Sequence, residues 1–194
     1  MKRIGAGDER AFAALVERHG GRMLAVAAHL LGSRVDGEDA VQRAFLRCFT
    51  AAGAYRAEWA VSTWLYRILT NVCVDEIRRR RARRELPGDG GVPDGAWRDA
   101  VVEGGAATRG DGRRRRPSNP PEHRAADRAA ARLDIARALQ KVPNEARALL
   151  VLRYADGLSY GELARVRGIT INTVKSQLAR GKAILRAALA EERR

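Results

Sequence analysis

From Leu158 to Leu178 the chain reads Leu-Ser-Tyr-Gly-Glu-Leu-Ala-Arg-Val-Arg-Gly-Ile-Thr-Ile-Asn-Thr-Val-Lys-Ser-Gln-Leu. Its punctuation leaves room for little besides two short helices meeting at a tight turn. Ser159 and Glu162 have the spacing of a capping box, which marks the start of the first helix. Ala164 is small where two helices must cross closely, and Gly168 supplies the turn that stops that helix. Thr170 then caps the second helix. Along it, Ile171, Val174, Leu178 and Leu185 recur at three- and four-residue spacing and define one apolar face. Asn172, Thr173, Ser176 and Arg180 fall on the opposite face, with Lys175 nearer its edge. The pattern is that of a helix-turn-helix, whose second helix enters the DNA major groove. Taken alone, the segment also fits an ordinary helical hairpin with a solvated outer face.

The formal net charge of +14 favours a polyanionic partner, although a chain so rich in Ala, Arg and Gly also carries the imprint of its base composition. The stretch from Met23 to Leu31 is the longest apolar one. It contains His29 and is too short to span a bilayer, so membrane insertion is not expected. No uninterrupted apolar segment follows Lys2 and Arg3, and a cytoplasmic location is the expectation. Cys48 and Cys73 are isolated within helical patterns and read as small core residues rather than as a disulfide or metal site. His19, His29 and His123 are dispersed. With no metal-ligand cluster, phosphate loop or Ser/His/Asp set in the sequence, neither a cofactor nor enzymatic activity is expected.

Periodicity predicts an all-α chain. Asp8 to Gly20 reads as a helix with Phe12, Leu15 and Val16 on one face, and Gly20-Gly21 as its break. Arg22 to Leu31 reads as a second helix, stopped by Gly32. Asp36 is expected to open a third, with Val41, Phe45, Leu46 and Phe49 as its core face. A connection from Ala51 to Ala60 leads to a long helix carrying Trp64, Leu65, Ile68, Leu69, Val72 and Ile77, which ends in Arg78 to Arg81. From residue 82 to 124 Gly, Pro, Asp and Arg dominate, including the run Arg113 to Arg116 followed by Pro117, Pro120 and Pro121. That composition predicts a flexible linker. Helical pattern returns near Ala125, with interruptions at Pro143 and Gly157. The expectation is two small helical domains, residues 1–81 and 125–194, that move independently on a tether.

Three motifs in the first half narrow the class. They are Asp36-Gly-Glu-Asp-Ala-Val-Gln-Arg-Ala-Phe-Leu-Arg47, then Ser62-Thr-Trp-Leu-Tyr-Arg-Ile68, then Asn71, Asp75, Arg78 and Arg79. In this order they resemble region 2 of the extracytoplasmic-function (ECF) group of bacterial RNA polymerase σ factors. The segment from about Ala138 through Leu185 resembles region 4 of the same group, most tellingly at Leu158-Ser159-Tyr160 and Thr173-Val174-Lys175-Ser176. The resemblance covers nearly everything but the linker.

It implies a non-catalytic subunit that joins core RNA polymerase and directs it to promoters. Region 2 would dock on the β′ clamp helices and engage the −10 element; region 4 would bind the −35 duplex near the β flap. The docking candidates are Glu38, Asp39, Gln42, Arg43 and Arg47. On spacing alone these read as a solvated face with an Asp39–Arg43 pair. The family usually has an acid at the position of Arg43, which puts docking strength in question. For the −10 element, the resemblance places Tyr55 and Arg56 in a base-capturing loop, with Arg67 and Asn71 one turn apart on the next helix. Trp59 has two readings, stacking on a base or packing on Trp64 as a hydrophobic staple. The arginines from Arg78 onward fit phosphate contact or a solvated helix end equally.

For the −35 element the candidates are Asn172, Thr173, Lys175, Ser176 and Arg180, with Arg180 reading guanine or clamping phosphate. Gln177 stands where the family often has Arg, so one backbone contact is expected to be missing. The resemblance also implies an anti-σ factor as a regulatory partner. The alternative is a two-domain helix-turn-helix regulator that binds duplex DNA without serving as a polymerase subunit.

Overall fold

The computed structural model describes residues 1–85 and 121–192, and within them all regular structure is helical. The predicted linker, apart from its two ends, and its Arg113–Arg116 run lie outside the described residues. A short helix α1 (Lys2–Gly5) precedes α2 (Glu9–Leu31) and α3 (Arg34–Ala51). A 3₁₀ turn (Ala52–Ala54) leads to α4 (Val61–Glu85). The second module comprises α5 (Pro121–Lys141), α6 (Asn144–Tyr154), α7 (Tyr160–Arg167) and α8 (Ile171–Glu192). α4 and α5 both run a few residues into the stretch read as linker. Ala82, Arg83 and Arg84 are helix formers, and Pro121 occupies the first helical position, where its fixed φ is an advantage.

α2 passes straight through Gly20-Gly21, where the sequence suggests a break. Each glycine costs about 1 kcal/mol against alanine in a helix interior. The apolar stripe of Phe12, Leu15, Val16, Met23, Val26, Ala27 and Leu30 stays in phase across the pair, and its burial outweighs that cost. The helix stops at Gly32, whose φ of 76° is left-handed and whose N–H bonds to Ala28 O. α3 starts two residues earlier than expected, because Ser33 caps it by accepting from Asp36 N at 3.3 Å.

The core face of α3 also differs from expectation. Gly37, Ala40, Ala44, Phe45 and Cys48 are buried, whereas Leu46 is 67% exposed and Phe49 37%. Small residues let α3 lie close to α2. A Cβ on Gly37 would stand 3.0 Å from Ala28 N and 3.3 Å from Ala28 Cα, both backbone atoms that cannot rotate away. Gly37→Ala is therefore expected to destabilise the protein by about 1–2 kcal/mol, overpacking outweighing the gain in helix propensity. A thermal unfolding midpoint at or above that of the parent would show that the helices part freely. Cys48 and Cys73 are fully buried, and burial pushes their thiols up to about 11 and about 12.

The two modules are packed against one another rather than held apart. One continuous apolar cluster runs from Met23, Val26, Leu30 and Leu69 of the first to Leu139, Leu149, Leu163 and Leu178 of the second. α2 touches α5 and α6, and α4 touches α6 and α7. Among the described residues no helix is long and apolar enough to cross a membrane.

Candidate nucleic-acid and polymerase interfaces

The helix-turn-helix is α7, the turn at Gly168 and α8. The predicted capping box is complete: Glu162 N donates to Ser159 Oγ at 3.3 Å, and Ser159 N donates to Glu162 Oε2 at 2.8 Å. The hydroxyl and backbone N–H of Ser159 hold the Glu162 carboxyl below its ordinary value. Gly168 has φ of 66°, and Thr170 caps α8 by accepting from Thr173 N at 3.1 Å. The buried stripe of α8 is Val174, Leu178, Gly181 and Ala188, with Leu185 packed beside it. At Gly181 the helix lies so close to α6 that a Cβ would come within 3.1 Å of Ala146 Cβ. Ile171, expected on the same face, is 47% exposed, since its position in the first turn projects past the helices that cover the stripe.

Of the expected −35 residues, Asn172, Lys175, Ser176 and Arg180 are exposed along one side of α8. Thr173 is half-buried, and its hydroxyl is engaged with that of Thr170 at 2.9 Å. Ser176 Oγ donates to Thr173 O at 3.0 Å, so both hydroxyls already serve the helix start. Gln177 is half-buried, and its Oε1 is buried with no hydrogen-bond partner among the described residues. An amide in that place faces the protein more than a phosphate.

In the first module, the connection before α4 is tightly folded. The Tyr55 hydroxyl donates to Trp59 O, and its ring meets Trp64 edge-on with centroids 5.5 Å apart. The aromatic packed on Trp64 is thus Tyr55, not Trp59 as the staple reading had it. Trp59 instead lies beneath the Arg67 guanidinium, 5.1 Å from its ring centroid. Arg56, Arg67 and Asn71 are exposed, the last two one turn apart on α4. The structure therefore groups Trp59, Arg67 and Asn71, and it gives Tyr55 a supporting position behind them.

On α3, Glu38, Asp39, Gln42 and Arg47 are exposed, and Arg43 is half-buried. Arg43 Nε reaches the main-chain oxygen of Asp39 at 3.3 Å, so the expected side-chain pair is not formed. Its Nη1 bonds to Glu76 of α4 at 3.1 Å, and Arg47 approaches Asp75 at 3.8 Å. The i to i+4 pair on this helix is Arg34 with Glu38 at 3.1 Å. Leu46 and Val35, 67% and 68% exposed, join the outer face and give it an apolar component that periodicity alone did not show. In the arginine run, Arg80 bonds to Asp36 at 2.6 Å and to Glu76 at 3.1 Å, and Arg79 approaches Glu76 at 3.5 Å. Arg80 ties α4 to α3, Arg79 stays on its own helix, and Arg78 is exposed.

A helix-turn-helix module behind a helical module with an exposed basic and aromatic surface defines a two-part DNA-reading protein, and comparison with known proteins places it. Residues 15–83 match the Sigma-70 region 2 family and residues 132–185 match Sigma-70 region 4. The ECF RNA polymerase sigma factor SigM of Mycobacterium tuberculosis is 33% identical over 180 residues, covering 93% of this chain and 78% of SigM. SigW of Bacillus subtilis, another ECF sigma factor, is 29% identical over 194 residues, covering 97% and 94%. The solved structure of CnrH in complex with the cytosolic domain of CnrY superposes with a TM-score of 0.62 at 27% identity, covering 98% of this chain and 94% of CnrH. The chain belongs to the ECF group of bacterial RNA polymerase sigma factors.

Proposed function

We propose that this σ factor divides its work between the modules as residues 1–81 and 125–194, acting in the cytoplasm as a non-catalytic subunit of RNA polymerase. The observation that carries this reading is the presence, in one chain and in σ order, of a region 2 module and a complete helix-turn-helix. In the first module, Glu38, Asp39, Gln42, Arg43 and Arg47 dock on the β′ clamp helices. Leu46 adds an apolar anchor to that face. The −10 strand is read by Arg56, Arg67 and Asn71, with Tyr55 shaping the loop. Single-stranded bases are held by aromatic faces and cations, and Trp59 under Arg67 supplies both. In the second module Asn172, Lys175, Ser176 and Arg180 face the −35 duplex. Thr173 fixes the start of α8, whose first-turn N–H groups suit a phosphate. The second module also lies near the β flap, and an anti-σ factor is the proposed regulatory partner. Co-expression of a true anti-σ factor suppresses transcription from the target promoters.

Docking is tested on α3. The double variant Asp39→Arg with Leu46→Ala removes one polar and one apolar exposed contact without touching the buried stripe. Its affinity for core RNA polymerase, measured by fluorescence anisotropy, is expected to fall about tenfold or more. Unchanged affinity with intact helicity would remove this face of α3 from the interface.

A further inference from the structure

The last turn of α2 is capped by the other module. A helix end leaves its final carbonyls without partners inside the helix. In α2, Gly32 N takes Ala28 O at 2.8 Å, as a local cap should. The next two carbonyls are satisfied from far along the chain: His29 O accepts from Gln140 Nε2 at 3.2 Å and Leu30 O from Arg147 Nη1 at 2.8 Å. Arg147 is only 5% exposed, and its hydrogen-bond acceptors among the described residues include no carboxylate. Its guanidinium also donates to Gln140 O at 2.7 Å, to Val142 O at 3.0 and 3.2 Å, and to Gln140 Oε1. The C-terminal ends of α2 and α5 thus converge on one cation, where both helix dipoles favour positive charge.

We propose that Arg147 and Gln140 form a latch that holds the two modules closed, and that it must release before both promoter elements are engaged. The consequence for promoters rests on the function proposed above; the latch itself does not. Elements centred near −10 and −35 are about 25 base pairs apart, or about 85 Å of duplex at about 3.4 Å per pair. A compact body of this chain length is only about 40 Å across. Modules joined by a 2.8 Å hydrogen bond therefore cannot occupy both elements together. The connecting residues 86–120 permit separation, since an extended chain of that length reaches about 120 Å.

The arrangement suits reversible release. Breaking a buried ion pair strands a charge, which makes such contacts hard to open. Here Arg147 gives up only Leu30 O on opening and retains Gln140 O, Gln140 Oε1 and Val142 O within its own module. Water replaces the one lost acceptor. Because the acceptors across the interface are main-chain oxygens, no side chain of α2 is needed for the contact.

The test is energy transfer within the full chain, with dyes on Glu17→Cys in α2 and Ala187→Cys in α8, both exposed positions. Cys48 and Cys73 are fully buried and stay unlabelled in the folded protein. The parent is expected to show high transfer. Gln140→Ala removes the bond to His29 O and loosens Arg147 while leaving the buried charge in place. It is expected to shift the closed-to-open equilibrium about tenfold toward open. Arg147→Lys, which loses the planar fork, should shift it further. If Arg147→Lys also loses helicity by circular dichroism, Gln140→Ala decides. High transfer in folded Gln140→Ala, equal to the parent, overturns the latch; so does low transfer in the parent. Transcription plays no part in this readout, so failure of the latch and failure of the σ reading remain distinguishable.

Discussion

Glu76→Ala is expected to destabilise the first module by about 2–3 kcal/mol. Glu76 is 8% exposed, yet it joins α4 to α3 through Arg43 at 3.1 Å and gathers Arg80 at 3.1 Å and Arg79 at 3.5 Å. Truncation leaves these guanidinium groups crowded around an apolar gap. They are a third or more exposed and regain water, which brings the loss below the about 3–5 kcal/mol of a fully buried broken pair. The pH dependence follows from the same contacts. Burial pushes the Glu76 carboxyl up, but hydrogen bonds from Arg80 and Arg43 outweigh it and hold the group below its ordinary value of 4.5. Asp36 is held below 3.8, chiefly by the Arg80 hydrogen bond. Lowered folded-state values mean stability that is fully present above the ordinary carboxylate range and lost as pH falls through the folded values. The stability of the parent against urea should fall below about pH 4.5, and Glu76→Ala should show a shallower acid limb. Identical acid limbs would mean that Glu76 is ionised no more readily in the folded chain than in the unfolded one.

Arg180→Ala carries the second large effect, on the −35 duplex. Arg180 is exposed nearly three turns along α8 from the Thr170 cap, in line with Asn172 and Ser176. Loss of one well-placed guanidinium is expected to weaken duplex binding about tenfold or more. Its two roles separate by pattern. If Arg180 reads guanine in bidentate fashion, the variant loses discrimination at one base pair. If it clamps phosphate, affinity falls uniformly across sequences and the salt dependence drops by about one counterion. Titration of −35 duplexes carrying single base changes, at several salt concentrations, distinguishes the two. Equal affinity of variant and parent for every duplex would place Arg180 outside the interface.

The sequence made the helix-turn-helix legible residue by residue because short-range chemistry sets it. The Ser159–Glu162 box, the left-handed Gly168 and the Thr170 cap each involve atoms within a few residues of one another. What depended on long-range packing was misread. Gly20-Gly21 looks like a break until the stripe on both sides is buried by the same neighbours. Leu46 and Ile171 have core spacing but lie on turns left exposed by the described helices, so periodicity placed them one face too far inward. Trp59 had a staple reading on Trp64, but Tyr55 makes the ring contact there and Trp59 lies under Arg67, a choice that spacing cannot make. Arg147 was invisible, because its role depends on the carbonyls of Leu30, Gln140 and Val142 converging in space, and main-chain oxygens leave no mark in a sequence. The departure at Arg43 gained a physical sense only once Glu76 was found beside it.

The most direct test of the σ assignment is initiation by purified core RNA polymerase on a genomic fragment library, with and without this protein. The account predicts new start sites that depend on the protein and share sequences near −10 and −35, weakened by Arg67→Ala with Asn71→Ala at the first and by Arg180→Ala at the second. Absence of new start sites, together with tight binding to fully paired DNA without polymerase, would contradict it.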